Sequence, residues 1–346
     1  MFIPEILGSK VSRHFSVGKV PPASLLRAVY PYVGLPSSRL LIRPGIGRDV
    51  AAISYGEKVL VFSTDPVTGT ATRTGRHSVH INANDIATAG AQPKWYLCTI
   101  LLPPNTVEES LRRIMEDMDK AARNLGISVV GGHTEVTALL KQPIVAGFMV
   151  GETSKRRLVS AEGGHEGDRI LLTKTAGLEG TAILASDHAN RLRRVRPEIL
   201  ARARRFSGQI SVVKEALAAA KVNGVHAMHD PTEGGVLNGL WELSQASNLG
   251  IRVESERIPV AVETETICRS LGLNPLKLMS SGSLVVAVDP SRVQAVAEAL
   301  RSTGVRVSEI GTLVARHKGG HLTLRSKRRM LKAVPIDELY KLAKLA

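Results

Sequence analysis

The stretch NANDIATAGAQP at residues 82–93 is typical of a closely packed helix that also faces a binding site. Its side chains are mostly small, so another backbone or a bulky ligand can approach it. Asp85 and the adjacent Asn84 add oxygen atoms of the kind that Mg²⁺ prefers. A packed helix whose polar groups bond to nearby backbone gives the same pattern. The stretch alone therefore predicts a helix and leaves its function open.

Two further acidic residues precede this helix. Asp49 follows a glycine-flanked turn and leads into an apolar run, and Asp65 ends the strand-like run that begins at Lys58. Turns and strand ends carry much of the chemistry of α/β proteins. Taken singly, Asp49 fits a turn and Asp65 fits an Asx-turn before Pro66. If both converge with Asp85, their repulsion raises at least one pKa, and a divalent cation bound with phosphate removes that penalty.

Further motifs follow in a fixed order. They are GRDVAA at 47–52, STDP at 63–66, the 82–93 stretch, GGHT at 131–134, GDR at 167–169 and HDPTEGG at 229–235. In this order they resemble the aminoimidazole ribonucleotide (AIR) synthase-related superfamily, and within it the HypE branch of hydrogenase maturation proteins. The resemblance runs from about Gly18 to about Leu313, and its specificity comes from the order of the motifs.

The resemblance implies an α/β (α+β) fold of two AIR-synthase-like domains. The first has a mixed sheet with helices, holds most of the nucleotide and pairs in a homodimer, and the second is an α/β domain. The polar, glycine-rich stretch at 155–167 suggests the boundary. We therefore predict an N-terminal ATP- and Mg²⁺-binding domain at 1–154 and a C-terminal domain at 165–346.

The resemblance also implies the cofactors ATP and Mg²⁺ and a set of site residues. The metal candidates are Asp49, Asp65 and Asp85, and the cofactor-binding candidates are Asn84, Asp49, Asp65 and Thr64. The catalytic candidates are Asp85 and His133. His133 follows two glycines and can contact a phosphate or carry a proton, although a structural hydrogen bond explains it equally well.

The segment DPTE at 230–233 predicts the start of a helix, with Asp230 as N-cap, Pro231 at the first helical position and Glu233 at the third. Capping explains Asp230 without a catalytic role. The resemblance places this loop at the active cleft and keeps a functional role open.

Three functions remain open from the sequence. The first is a HypE-like, ATP-dependent enzyme that transfers a phosphoryl group or uses ATP to activate or dehydrate an external substrate. The second is a small-molecule kinase of the thiamine-monophosphate type, but that branch has Asp at the position of His133. The third is a non-catalytic nucleotide-binding scaffold with a basic docking surface. Arg48, which replaces an acidic residue usual in the family, keeps the scaffold open as an alternative, as does the lack of a cysteine at 344–346.

HypE proteins end in a cysteine that accepts a carbamoyl group, which ATP then helps dehydrate. Residues 344–346 of this chain contain no sulfur, so we expect no modification of its own tail. The acceptor substrate, a small molecule or a protein, cannot be named from the sequence. Cys98 and Cys268 lie in apolar segments and are expected in the core.

The chain of 346 residues has 46 basic and 31 acidic residues, and the excess is concentrated in an arginine-rich segment at 191–205 and a second basic group at 325–329. Since only 3% of its residues are aromatic, base stacking has few candidates, and we do not expect a nucleic-acid partner. A solvated face, a field that attracts ATP or a docking site for an acidic protein explains the charge better. Neither a membrane span nor a signal peptide is recognisable, so we expect a cytoplasmic protein.

Overall fold

The structure contains two mixed sheets, one formed by each half of the sequence. It is a computed structural model that describes residues 14–68, 73–324 and 327–342. The elements of the first half are α1 (Pro22–Ala28), β1 (Leu40–Ile42), β2 (Ala51–Tyr55), β3 (Lys58–Val67), α2 (Thr74–Thr88), β4 (Gln92–Leu102), α3 (Glu108–Leu125), β5 (Ser128–Val136) and β6 (Ile144–Ser154). The strand order is β1-β2-β3-β6-β4-β5, and only β4 and β5 run parallel. Helix α3 makes the crossover that this parallel pair requires.

The second half forms a larger sheet. Its elements are β7 (Arg169–Thr173), α4 (Leu178–Asp187), α5 (Pro197–Arg205), α6 (Val213–Ala219), β8 (Val225–His229), α7 (Gly235–Ala246), β9 (Gly250–Glu254), α8 (Val262–Leu271), β10 (Val285–Val288), α9 (Val293–Arg301), β11 (Val307–Val314), β12 (Gly320–Leu324), β13 (Lys327–Met330) and α10 (Glu338–Lys341). The strand order is β13-β12-β9-β11-β7-β10-β8. These two sheets with their helices confirm the predicted fold class.

Helix α2 is built from small residues because the chain crowds it on several sides. A Cβ added at Gly75 would lie 2.0 Å from the carbonyl oxygen of Ile114 in α3. Gly90, which turns the chain after α2 at φ +68°, would bring a Cβ to 2.3 Å from the carbonyl oxygen of Arg157. Larger side chains would therefore separate α2 from its neighbours.

One hydrophobic core extends across both halves. Ala89 and Ala91, after α2, belong to the same buried cluster as Val212 and Ala216 beside and in α6. The amide of Asn84 also crosses the junction, since it donates to the carbonyl oxygen of residue 210 and accepts from the backbone N–H of residue 212, both at 2.8 Å. The end of α2 is therefore fixed against the second half.

Several predicted boundaries were wrong. The sequence at about 22–33 predicts a helix, but the helix ends at Ala28, because Pro31 disfavours helical backbone at the residue before it. The strand expected to end at Asp65 continues to Val67, so Asp65 lies within β3. The sequence also predicts Thr106 as the cap of α3, but Val107 is the N-cap and the Thr106 hydroxyl donates to the carbonyl oxygen of Pro103.

Predictions on the core were confirmed. The spacing of Val236, Leu240 and Leu243 predicts a buried stripe, and all three are fully buried along one side of α7. Both cysteines are buried, and burial raises the pKa of Cys98 and raises that of Cys268 to about 12. Neither is therefore an activated thiolate. The tail at 344–346 lies outside the described residues. Among the described helices, none is long and apolar enough to cross a membrane.

Candidate active site

A cavity of about 480 Å³ lies where the two halves of the chain meet. Its walls carry charged and polar side chains from both halves, among them Lys19, Asp49, Asp65, Asp85, Glu179, Thr232, Glu233, Ser281 and Tyr340. A larger recess of about 890 Å³ next to β13 is lined mainly by apolar surface and contains none of the clustered aspartates. The smaller cavity is therefore the candidate active site.

Three carboxylates converge at this cavity. Asp49 lies in the turn before β2, Asp85 lies in α2, and Asp230 directly follows β8. One oxygen of each lies within 4.8 Å of an oxygen of the others. Asp65 of β3 lines the same cavity. The structure thus brings together the three predicted metal candidates and adds Asp230.

Asp85 is almost completely buried and accepts a hydrogen bond of 2.6 Å from the hydroxyl of Ser63. Burial and the neighbouring charges of Asp65 and Asp230 raise the pKa of Asp85 well above its usual value. Burial and the charge of Asp49 raise the pKa of Asp65 to about 6. Without a cation, both groups therefore keep a proton to higher pH than an ordinary carboxyl does.

Asp230 differs from the helix cap expected from the sequence. Helix α7 begins at Gly235, and its N-cap is Gly234 in the left-handed conformation. Asp230 is 1% exposed, and neither carboxylate oxygen has a hydrogen-bond partner among the described residues. Burial raises its pKa to about 8, although the nearby His229 opposes this increase. An unpaired buried carboxylate in a native structure calls for an explanation, such as a bound ion or a catalytic role.

A chain of ionic contacts holds the carboxylate of Asp49 in place. Nδ1 of His229 lies 3.0 Å from a carboxylate oxygen of Asp49, and Nε2 lies 3.0 Å from Glu242. Glu242 also accepts a hydrogen bond of 3.1 Å from the Lys19 ammonium group. Burial alone would lower the pKa of His229, but the two carboxylates raise it to about 10. His229 is therefore an imidazolium that holds Asp49 in position.

Three predicted residues lie outside the cavity wall. The Asn84 amide is taken up by the backbone of residues 210 and 212. The Thr64 hydroxyl donates to the carbonyl oxygen of Gly147 at 2.8 Å, and alternation along β3 turns it away from Asp65. His133 lies on the exposed edge strand β5, with Nε2 3.2 Å from Glu135.

Sequence reasoning missed Lys19, His229 and Glu242. His229 was visible as the first residue of the HDPTEGG motif, but a histidine before a helix start has many structural explanations. Glu242 is the one acidic residue in the mostly apolar sequence of helix α7. That contrast was the signal that the sequence offered. No sequence pattern distinguished Lys19.

The site fits a hard divalent cation. Its ligands are carboxylate oxygens, which Mg²⁺ prefers, and the free oxygens of Asp230 supply positions that no protein group fills among the described residues. A cation would also remove the repulsion that raises the pKa values of Asp85 and Asp230.

Comparisons with known proteins place the chain in a family. Residues 47–153 match the family model of the AIR synthase related protein, N-terminal domain, and residues 165–322 match that of the C-terminal domain. Carbamoyl dehydratase HypE of Bradyrhizobium diazoefficiens is 31% identical over 78% of this chain and 78% of its own. A putative hydrogenase expression/formation protein of Methanocaldococcus jannaschii is 26% identical over 78% of this chain and 81% of its own.

Solved structures agree with the sequence relatives. The crystal structure of Escherichia coli HypE superposes with a TM-score of 0.69 at 26% identity, covering 81% of this chain and 88% of that one. A HypE structure in complex with ATP superposes with a TM-score of 0.69 at 24% identity, covering 80% and 85%. The chain therefore belongs to the AIR synthase related protein family, within which it is HypE-like.

Proposed function

We propose that this chain is an ATP-dependent enzyme of the HypE type, which uses Mg²⁺ for phosphoryl transfer to an external substrate or for its ATP-driven activation or dehydration. The observation that carries the proposal is the cluster of Asp49, Asp85 and Asp230, whose carboxylate oxygens lie within 4.8 Å of one another. Asp49 and Asp85 line the cavity, and both oxygens of Asp230 are unpaired among the described residues. A HypE protein of the same fold has been crystallised with ATP, which supports the nucleotide assignment.

Each residue of the site has a distinct part in this proposal. Asp49, Asp85 and Asp230 would hold the cation, which neutralises phosphate charge and stabilises the charge that develops during transfer. Lys19, anchored by Glu242 and 43% exposed, provides a positive charge at the cavity wall for phosphate oxygens. His229 touches Asp49 and acts as a positioning residue.

Substrate turnover tests this function. ATP is incubated with candidate amides, carbamoyl compounds and phosphate esters, with and without Mg²⁺, and release of ADP and phosphate is measured. We expect Mg²⁺-dependent release of ADP with at least one acceptor. A product that retains the phosphoryl group supports the kinase alternative, whereas free phosphate supports activation or dehydration. ATP binding without turnover of any acceptor supports the scaffold alternative.

The raised pKa values give a pH-dependent cation affinity. Since Asp65 and Asp230 have pKa values of about 6 and about 8, Mg²⁺ must displace protons below these values. We expect Mg²⁺ affinity to rise from pH 6 to pH 8, by up to about tenfold per pH unit for each proton displaced. Calorimetry in two buffers of different ionisation enthalpy counts the released protons. Equal affinity at pH 6 and 8 with no proton release would rule out this linkage.

We further propose that residues 1–154 and 165–346 are the two domains of the chain, packed on their shared core, and that the first domain forms a homodimer. The edge strand β5 exposes all nine of its residues, including Val129, Val130 and Val136. Phe148 of β6 and Trp95 of β4 are each more than one third exposed on the same sheet. An exposed apolar edge strand favours association, and we expect the strands near 96–102 and 144–150 of the same sheet to help build the interface.

We expect light scattering to give twice the monomer mass at micromolar concentration. Val130→Glu should shift the protein to monomer, because it places a charge in the proposed interface. Val262→Glu is the control, since Val262 is 63% exposed on α8, away from this sheet. A monomeric wild-type protein would contradict the proposed dimer.

A further inference from the structure

A second cluster of ionisable side chains lies apart from the candidate active site, where the segment between the two sheets meets the second sheet. It consists of His165 and Asp168, just before β7, and His226 in β8. Nδ1 of His226 lies 2.9 and 3.0 Å from the two carboxylate oxygens of Asp168, and 3.1 Å from Nδ1 of His165. Three potential ligand atoms therefore converge on one point.

The backbone fixes these side chains. Asp168 is 1% exposed, and its carboxylate accepts the backbone N–H of His165 at 2.8 Å. The connecting segment approaches β8 so closely that a Cβ added at Gly163 would lie 2.3 Å from the carbonyl oxygen of His226. The cluster thus joins residues 58 positions apart through a preformed contact.

Hydrogen bonds alone do not satisfy the polar atoms of all three side chains. A neutral imidazole carries one proton, and the Nδ1–H of His226 can point at only one acceptor with good geometry. If it donates to Asp168, no proton remains for the short contact with Nδ1 of His165. A cation in the centre would accept a lone pair from each of the three groups.

The spacing and the ligand types fit a transition-metal ion. Zinc binds imidazole nitrogen at about 2.0–2.1 Å, so two ligands of a tetrahedral site lie roughly 3.4 Å apart. The observed separations of 2.9 to 3.1 Å need an expansion of only a few tenths of an ångström. Two imidazoles and one carboxylate favour a borderline ion such as Zn²⁺ or Co²⁺ over Mg²⁺.

The surroundings are open on one side and negatively charged on another. The His165 ring is exposed, so a metal ion and a water ligand can reach the cluster from solvent. Asp289, which follows β10, interacts electrostatically with His226 and adds negative charge nearby. In contrast, the active-site cluster contains only carboxylates.

We propose that His165, Asp168 and His226 bind a divalent transition-metal ion that fastens the connecting segment to the second sheet. The ion has a structural role here and is separate from the Mg²⁺ of the proposed reaction. Binding of this ion does not depend on ATP binding. Because the ion binds only the folded arrangement of the three residues, its binding stabilises the native protein.

Metal-free full-length protein titrated with Zn²⁺ in excess Mg²⁺ tests this site. We expect one Zn²⁺ per chain with micromolar or tighter affinity and an increase in Tm. His165→Ala should weaken binding at least about tenfold and remove the increase in Tm, while leaving the circular dichroism spectrum unchanged because the ring is exposed.

His317→Ala is the matched control, because His317 is an exposed histidine outside the cluster. It should retain the affinity and the increase in Tm. Absence of Zn²⁺ binding to the wild-type protein would overturn the proposal, as would equal binding by His165→Ala and the wild type. An equal loss in both variants would point to general surface binding and also reject the site.

Discussion

Asp230→Asn is expected to lower Mg²⁺-dependent ATP turnover by about 100-fold or more and, at the same time, to stabilise the cation-free protein. Turnover falls because a metal ion supplies several kcal/mol of transition-state stabilisation, and the substitution removes one of its proposed ligands. Stability rises because the substitution removes a carboxylate that is buried and unpaired among the described residues.

The sign of the stability change follows from the pKa of Asp230, which is raised to about 8 in the folded protein. A raised folded-state pKa gives stability that is present below the unfolded value near 4 and is lost as pH rises through 8. The difference between variant and wild type should therefore grow with pH, to the order of a few kcal/mol at pH 8. Thermal unfolding without metal at pH 5 and pH 8 measures it. A variant that is less stable than wild type at pH 8 would mean that Asp230 has a stabilising partner.

His229→Leu should produce the largest loss of stability among the site variants. It removes the cation between Asp49 and Glu242 and leaves two carboxylates near each other, of which Glu242 keeps its contact with Lys19. Removal of one partner from a buried ionic network costs roughly 3–5 kcal/mol, and we expect about 3 because Asp49 is 34% exposed. ATP turnover should also fall, since Asp49 loses its fixed position.

The pH dependence distinguishes this role from simple packing. The pKa of His229 is raised from 6.5 to about 10, so its contribution is present below pH 6.5 and is lost as pH rises through 10. Urea unfolding should show that the free energy of unfolding of the wild type falls between pH 6.5 and pH 10. The fall should be smaller in His229→Leu. His226 is not suitable as a control because of its own cluster, whereas His317→Leu alters an exposed ring and should behave as wild type. Identical pH dependence in wild type and His229→Leu would exclude an ionic role for His229.

The sequence predicted the aspartates of the first half because their local signals are strong. Asp85 lies in a helix of small residues, and Asp49 follows a glycine turn. The unusual composition of that helix reflects real crowding by α3 and by the chain at Arg157. Convergence of these residues was inferred from their chemistry and from the family resemblance, and the structure brings them to one cavity.

The contacts from the second half were harder to predict because they depend on tertiary packing. The segment at 230–233 satisfies the local rules for a helix start, yet the helix begins at Gly235 and Asp230 points into the aspartate cluster. Asn84 has the residue type of a ligand, but the approach of the second half supplies backbone partners for its amide. Side-chain direction on β3 likewise separates Thr64 from Asp65.

Nucleotide binding followed by calorimetry tests the central claim, which is that the converging aspartates bind ATP through a divalent cation. The wild-type protein should bind ATP with Mg²⁺ and show no binding when the cation is chelated. Asp85→Asn should weaken Mg²⁺-dependent binding at least about 100-fold, since loss of even an indirect metal contact costs about 10–100-fold. Asp119→Asn, an exposed carboxylate on α3, is the control and should bind as wild type. Undiminished Mg²⁺-dependent ATP binding by Asp85→Asn, or equally tight binding without any cation, would contradict the assignment of this site.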